Sequence, residues 1–218
     1  GGETLAAVAE ALGAELGSSV IVENRPGGSA NIGAMTVAKA PADGATLLLG
    51  DLALAVNPSL FKRLSYDPVA DLQPIATVAT APLVLVVNPS TPARTLAELV
   101  ALAKAKPGTL TYASAGNGNP PHIAAELFRT TTGIDVVHVP YKGVGPALND
   151  VIGGQVTMLF TGISSTRQHI ESGRVRALAV TGARRASTLP AVPTTAEAGF
   201  PGVDVTSWWG LFAPAGLP

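Results

Sequence analysis

One stretch decides the fold of this chain: Tyr112-Ala113-Ser114-Ala115-Gly116-Asn117-Gly118-Asn119-Pro120-Pro121-His122. The alternation of side chains from Leu110 onward suits a strand that ends near Ser114. Gly116 and Gly118 then predict a turn in which the backbone adopts unusual angles or comes close to a ligand. Asn119 is a favourable N-cap and Pro120 a favourable first helical residue, so a helix is predicted to follow the turn.

This strand–turn–helix has two interpretations. The N–H groups in the first turn of a helix lie at the positive end of its dipole, where they suit an anion. Ser114, Asn117 and His122 would add polar contacts, and no Lys or Arg occurs from Ser114 to His122. In the other interpretation the loop only joins strand to helix, Asn117 is a turn residue and His122 is solvated or supports the loop. The stretch by itself leaves both open.

Strand-like and helix-like segments alternate along the rest of the chain, which predicts an α/β fold with a largely parallel sheet. Helical periodicity runs from Glu3 to Leu16, and the β-branched segment from Val20 to Glu23 is predicted to be a strand. Asn57-Pro58 is predicted to begin a helical turn. Ser164 or Ser165 is predicted to cap a helix in the second half of the chain.

The segments form two groups, which predict two lobes. Residues 1–86 with 206–218 make the first lobe, and residues 87–205 make the second. The uncharged strand around Leu83 to Val87 and the strand around Trp208 are predicted to be the two crossings between them. A cleft between two such lobes is the usual place for a small ligand.

Composition excludes several kinds of function. Charged residues make up 13% of the chain and its net charge is −1, so neither nucleic acid nor an anionic membrane is expected as a partner. The absence of cysteine excludes thiolate metal sites and disulfides. His122, His138 and His169 lie far apart in sequence without ligand spacing, so no metal is expected. No signal-peptide pattern stands at the start of the sequence.

No catalytic set assembles from the motifs. The sequence contains no Gly-x-Ser-x-Gly, no phosphate-binding loop with its lysine and no complete dinucleotide fingerprint. We therefore expect neither enzyme activity nor a cofactor. Asp51 is a further candidate for ligand binding because it follows an apolar strand, at the carboxyl end of the predicted sheet, where ligands bind in α/β folds.

Several stretches together resemble the Bug family, the extracytoplasmic solute receptors of tripartite tricarboxylate transporters. They occur in the family's order over nearly the whole chain: Val22–Gly28 with Asn31–Gly33, Asp43–Gly50, Asn57–Phe61, Leu110–Gly118, His138–Gly143 and Pro193–Gly199. The resemblance implies a periplasmic, two-lobed binding protein of the type II-like, Venus-flytrap kind that closes on a small ligand. It implies a carboxylate ligand held by backbone amides and ordered waters. The implied partners are membrane transporter subunits, and the protein is expected to be a monomer.

The resemblance also assigns ligand contacts by position. These fall on Gly1 and Gly2 of the first loop, on the turn Ser114, Ala115, Gly116 and Asn117, on His122, and on Phe160 with Thr161. Three positions depart from the family: Thr4 and Thr161 replace an acid, and Asp51 replaces a small hydroxyl residue or glycine. The family usually has a strand before Gly1 and helical sequence after Pro218, so the first lobe is expected to be truncated at both ends.

Asp51 bears on the kind of ligand. An ionised carboxylate at this position would repel a second carboxylate placed close to it, and would favour an ammonium, amide or hydroxyl group. The predicted ligand is therefore a monocarboxylate, or a carboxylate with a polar or cationic group, rather than citrate. The alternative function is the effector-binding domain of a transcription regulator, which shares this architecture and would be encoded behind a helix-turn-helix instead of a signal peptide.

Overall fold

The structure of the protein, a computed structural model, describes residues 2–25 and 27–217. Contacts divide the chain into two compact units. The first unit is Gly1–Thr80 with Trp208–Pro218, and the second is Ala81–Ser207. The lobe boundaries from the sequence, residues 1–86 with 206–218 for the first lobe and residues 87–205 for the second, stay a prediction. Among the described residues, no helix is long and apolar enough to cross a membrane.

The first unit combines helices with a pair of short strands and a small apolar core. Strand β1 (Leu48–Asp51) pairs antiparallel with β7 (Thr206–Pro214), and this pairing sets Asp51 opposite Trp209. The core contains Leu54, Tyr66 and Leu72, against which Trp208 packs. The elements of this unit are α1 (Gly2–Leu16), a 3-10 turn (Gly28–Ala30), α2 (Asn31–Ala38), β1 (Leu48–Asp51), α3 (Ala53–Leu60), the start of β2 (Leu72–Val87) and β7 (Thr206–Pro214).

Two predictions for this unit are wrong. Residues 20–23 are not a strand: they have no regular secondary structure, and the side chain of Ile21 is 89% exposed. Their β-branched composition suits a strand, but a strand also needs a neighbour to receive its hydrogen bonds. Helix α3 begins at Ala53 and not at Asn57-Pro58, and it carries Pro58 in its interior. The Asp51 carboxylate accepts the N–H of Ala53 at 2.9 Å, which stabilises this earlier start.

A mixed sheet organises the second unit. Strand β3 (Thr111–Ser114) is parallel to β4 (Val137–Pro140) and to β5 (Met158–Gly162). Strand β2, in contrast, is antiparallel to β5 on one side and to β6 (Arg176–Val180) on the other. The largely parallel sheet predicted from sequence is therefore only partly correct here. The elements are α4 (Leu96–Ala105), β3 (Thr111–Ser114), α5 (Pro120–Thr132), β4 (Val137–Pro140), α6 (Val144–Ile152), β5 (Met158–Gly162), α7 (Ile163–Glu171) and β6 (Arg176–Val180).

Strand β2 contributes to the hydrophobic core of the second unit. Residues 83–87 of β2 are between 0% and 4% exposed, as their uninterrupted apolar run predicts. Val151 and Leu159 belong to the same apolar cluster. Because β3, β4 and β5 are parallel and each runs into a helix, their three strand–helix turns lie at one edge of the sheet. This edge carries the stretch from Ser114 to His122.

Candidate functional site

The loop between β3 and α5 has the local structure that its sequence predicts. Strand β3 ends at Ser114 and α5 begins at Pro120. Asn119 is the N-cap, and its Oδ1 accepts the N–H of His122 at 3.0 Å. Gly116 and Gly118 have φ of 128° and 78°, which glycine adopts more readily than other residues. The turn therefore depends on both glycines.

The helix start offers fewer donors than expected. Pro120 and Pro121 have no N–H, and the N–H of His122 is already bonded to Asn119. The prediction of unpaired N–H groups in the first turn of α5 is therefore wrong. Within residues 2–25 and 27–217, the backbone N–H groups of Asn117 and Asn119 have no hydrogen-bond partner. The backbone N–H groups that are free to bind a ligand thus lie in the loop and not in the first turn of α5.

The ring of His122 lies beside this loop and is half-buried. Its Nδ1 accepts the N–H of Gly118 at 3.1 Å, so in the neutral ring the proton is on Nε2. Burial lowers the pKa of His122, while the charge of Glu126 opposes the shift. Near neutral pH the ring is consequently an uncharged Nε2–H donor.

His138 belongs to the same group, although its position in sequence gave no sign of it. Its Nε2 is 2.7 Å from Ser114 Oγ, and this hydroxyl in turn accepts the N–H of Gly116 at 3.2 Å. The His138 ring stacks on that of His122, with centroids 4.4 Å apart, and on that of Tyr112 at 4.7 Å. Burial and the neighbouring His122 lower the pKa of His138.

A polar chain supports this stack from α5. The Tyr112 hydroxyl donates to Glu126 Oε1 at 2.5 Å, and burial raises its pKa. Arg129 donates to both carboxylate oxygens of Glu126, and these hydrogen bonds hold the pKa of Glu126 below its usual value. Glu126 is therefore committed to neighbours within the protein.

Strand β5 places two predicted contact residues in the interior. Phe160 is 1% exposed, and its ring packs edge-on against Phe128 at 5.8 Å. Thr161 is fully buried, and its hydroxyl lies 3.3 Å from Ser165 Oγ. Both side chains therefore contact neighbours within the protein.

Helix α7, which follows β5 directly, has Gly162 as its N-cap and no side-chain cap. The predicted capping by Ser164 or Ser165 is wrong: the hydroxyl of Ser165 donates back to the carbonyl of Gly162 at 2.8 Å. The serine thus bonds a backbone carbonyl and not a free N–H of the first turn.

The other predicted contacts belong to the first unit. Gly2 is the first residue of α1 and Thr4 lies in its first turn, while Gly1 lies outside the described residues. Asp51 is the last residue of β1 and is partly exposed, and its carboxylate accepts the N–H of Ala53. Of the predicted contacts in the second unit, Ser114 ends β3, Ala115, Gly116 and Asn117 lie in the β3–α5 loop, and His122 lies in the first turn of α5 and binds that loop at Gly118. Among the described residues, no group of three or more His, Asp or Glu could hold a metal ion.

Comparison with known proteins gives the family. A family model described as "Tripartite tricarboxylate transporter family receptor" matches residues 5–218. A UPF0065 protein from the tcbD–tcbE intergenic region of Pseudomonas sp. strain P51 is 42% identical over 204 residues, 93% of this chain and 61% of that protein. BugT of Bordetella pertussis is 40% identical over 211 residues, 96% of this chain and 65% of that protein. The chain belongs to this receptor family and spans about three fifths of the length of these relatives.

Solved structures agree on the fold. Rpa4515 of R. palustris with adipate has a TM-score of 0.89 at 37% identity, over 99% of this chain and 73% of that chain. MatC (Rpa3494) of Rhodopseudomonas palustris with bound malate has a TM-score of 0.86 at 32% identity, over 99% and 74%. The predicted family and the two-lobed α/β fold of periplasmic binding proteins are confirmed. The family consists of receptors and not of enzymes.

Proposed function

We propose that this chain is the ligand-binding part of a periplasmic solute receptor. In this role it captures a small carboxylate and delivers it to the membrane subunits of a tripartite tricarboxylate-type transporter. The receptor family supports the role, and the adipate and malate in two similar structures support the ligand class. Like many receptors of small solutes, the protein is proposed to act as a monomer.

The observation that carries the proposal is the set of uncharged donors beside Ser114. The N–H groups of Asn117 and Asn119 belong to the loop, and the Nε2–H of His122 belongs to the ring that binds this loop at Gly118, at the carboxyl edge of the parallel strands. Hydrogen bonds to a charged acceptor are stronger than those to a neutral one, so three such donors suit one carboxylate. Arginine is not needed for this kind of binding.

The proposed role of Gly1, Gly2 and Thr4 in binding rests on the family resemblance alone, whereas that of Asp51 rests on its position at the end of β1. For Asp51 the proposal is a negative one: its carboxylate disfavours a second acidic group near it. The ligand is then a monocarboxylate, or a carboxylate with a hydroxyl, amide or ammonium group. Adipate and malate each carry two carboxylates, so the proposal separates this chain from those relatives in specificity.

Calorimetric titration tests both parts of the proposal. The panel contains a monocarboxylate, an acidic amino acid, adipate, malate and citrate. We expect binding of at least one carboxylate, with citrate the weakest, and a gain of citrate affinity of roughly tenfold in Asp51→Asn. Tight citrate binding that the substitution leaves unchanged contradicts the assignment of Asp51.

Asp43→Asn is the matched control for this titration. Asp43 lies in the same unit, and its Oδ1 accepts the N–H of Ala45 at 2.9 Å, as Asp51 does from Ala53. Both variants lose one negative charge and keep an oxygen that can accept the same N–H, but only Asp51 is assigned to the ligand. Delivery to a transporter is tested separately: deletion of the encoding gene should abolish uptake of the acid that binds.

A further inference from the structure

Two histidines hold the two glycines of the β3–α5 loop. His122 Nδ1 accepts the N–H of Gly118 at 3.1 Å. His138 Nε2 contacts Ser114 Oγ at 2.7 Å, and this hydroxyl accepts the N–H of Gly116 at 3.2 Å. The backbone of the loop is thereby fixed at two points. The free N–H groups of Asn117 and Asn119 lie between these points or directly after them.

We propose that His122 and His138 are positioning residues for the ligand, and that the neutral form of His122 is the form that binds. This rests on the proposed function, which gives the loop its ligand contact. In the neutral form Nδ1 fixes Gly118 and the Nε2–H is left for an oxygen of the ligand. Protonation adds a hydrogen to Nδ1, which then faces the N–H of Gly118, and the contact is lost.

The surroundings of His122 disfavour its protonation near neutral pH. The ring of His138 on β4 is 4.4 Å away, and that of Tyr112 on β3 is 6.3 Å away. On α5 itself, Glu126 attracts an imidazolium, but it already accepts hydrogen bonds from Tyr112 and Arg129. Burial lowers the pKa of His122 in the same direction. The neutral form is therefore kept until the solution becomes acidic.

Acid acts on the affinity in two opposite ways. An imidazolium attracts a carboxylate more than a neutral ring does, but water screens this attraction at a half-exposed position. Loss of the Gly118 contact displaces two backbone donors, and a displaced N–H makes no hydrogen bond to the ligand. The loss of hydrogen bonds from the two displaced donors outweighs the added attraction of the imidazolium. Affinity for a carboxylate consequently falls on acidification, by about tenfold once His122 is protonated.

Titrations of the full chain with L-lactate, a hydroxy monocarboxylate that stays ionised at both pH values, at about pH 7.5 and about pH 5.5 test the direction of this effect. In parallel, NMR follows the imidazole nitrogens of His122 and the exchange protection of the Gly118 amide. We expect the affinity for L-lactate and the protection of Gly118 to fall with the same midpoint. The proposal is overturned if the affinity stays constant or rises as the pH is lowered. It is also overturned if the protection of the Gly118 amide does not change as His122 is protonated.

Amide side chains provide matched variants, because asparagine places its amide near the position of Nδ1 and glutamine near that of Nε2. His138→Gln keeps a partner for Ser114 and should retain affinity, whereas His138→Asn removes it and should weaken L-lactate binding about tenfold. Equal affinity of the two variants overturns the positioning role. In His122→Asn an acceptor for Gly118 persists at every pH, so the acid dependence should disappear.

Failure of the proposed function is recognised separately. If neither L-lactate nor any other carboxylate of the panel binds at either pH, the assigned ligand class is at fault. The protection of the Gly118 amide in the unsubstituted protein then still decides the inference, since it needs no ligand. Protection that is lost as His122 takes up its proton supports the two-point attachment, and unchanged protection overturns it.

Discussion

The imidazole rings of His122 and His138 share a half-buried stack with centroids 4.4 Å apart. Burial makes the charged form of each ring unfavourable in the folded protein, and the neighbouring His122 adds to this effect on His138, so both pKa values lie below the ordinary value of 6.5. The unfolded chain then binds protons at a higher pH than the folded chain does. Stability is unaffected well above about pH 6.5 and decreases as the pH falls through and below that value.

Thermal unfolding without ligand measures this effect. We expect the midpoint of the second unit to fall between about pH 7.5 and about pH 5, and the fall to be smaller in the double variant His122→Asn/His138→Asn, which has no imidazole in the stack. An acid dependence of equal size in the double variant would assign the loss to other groups.

For single residues, roles that depend on neighbours in the chain could be predicted from the sequence, whereas roles that depend on contacts with distant residues could not. Asn119 and Pro120 act within a few residues of chain, and both occur in the structure where their capping preferences predict them. His138 was missed because its role depends on the parallel register that sets it beside Tyr112. The alternation of residues in β4 was the available signal, but it does not reveal which strand lies next to it.

Among the elements, β1 and α3 meet at Gly50, where there is no room for a side chain. A Cβ at this position would clash with Leu54 Cδ1 and lie 3.0 Å from Cε2 of Phe212, in the core of the first unit. We expect Gly50→Ala to lower the free energy of unfolding of that unit by about 1–3 kcal/mol, measured by chemical denaturation.

Gly145→Ala is the control for this substitution. Gly145 lies in α6, is exposed, and its added Cβ would meet nothing within 4 Å. Alanine loses less conformational freedom in a helix than glycine, so this variant should be unchanged or more stable by up to about 1 kcal/mol. If both variants lose similar stability, crowding at Gly50 is not the cause.

Elements were predictable where periodicity and a capping residue agreed, and less so where a partner decides the structure. The sequence predicts α5 and the buried run of β2 correctly. Residues 20–23 have the composition of a strand, but the described chain provides no strand beside them. Asn57-Pro58 predicts a start of α3 that is too late, because the carboxylate of Asp51 stabilises a start at Ala53.

For the whole molecule, the two units offer separate spectroscopic signals. Both tryptophans, Trp208 and Trp209, fall in the first unit, and Trp208 packs against its core. Fluorescence therefore reports the unfolding of that unit, while circular dichroism reports helices of both. We predict that the units unfold as separate cooperative bodies, each around its own apolar cluster.

Val151→Ala tests this prediction. Val151 is fully buried in the core of the second unit, and the cavity should cost about 1–3 kcal/mol. The variant should shift the unfolding transition seen by circular dichroism and leave that of tryptophan fluorescence in place. A common shift of both signals would mean that the chain unfolds as one body.

The buried run of β2 has a consequence for the chain before it folds. Residues 83–87 form five consecutive apolar positions without charge, and in the sheet they are covered by β5 on one side and β6 on the other. In an unfolded chain such a segment is prone to intermolecular β-pairing and aggregation. Pro82 and Pro89 bracket it, and a proline, which cannot donate a backbone hydrogen bond, limits how far such pairing can extend. Refolding at low protein concentration should therefore give the higher yield.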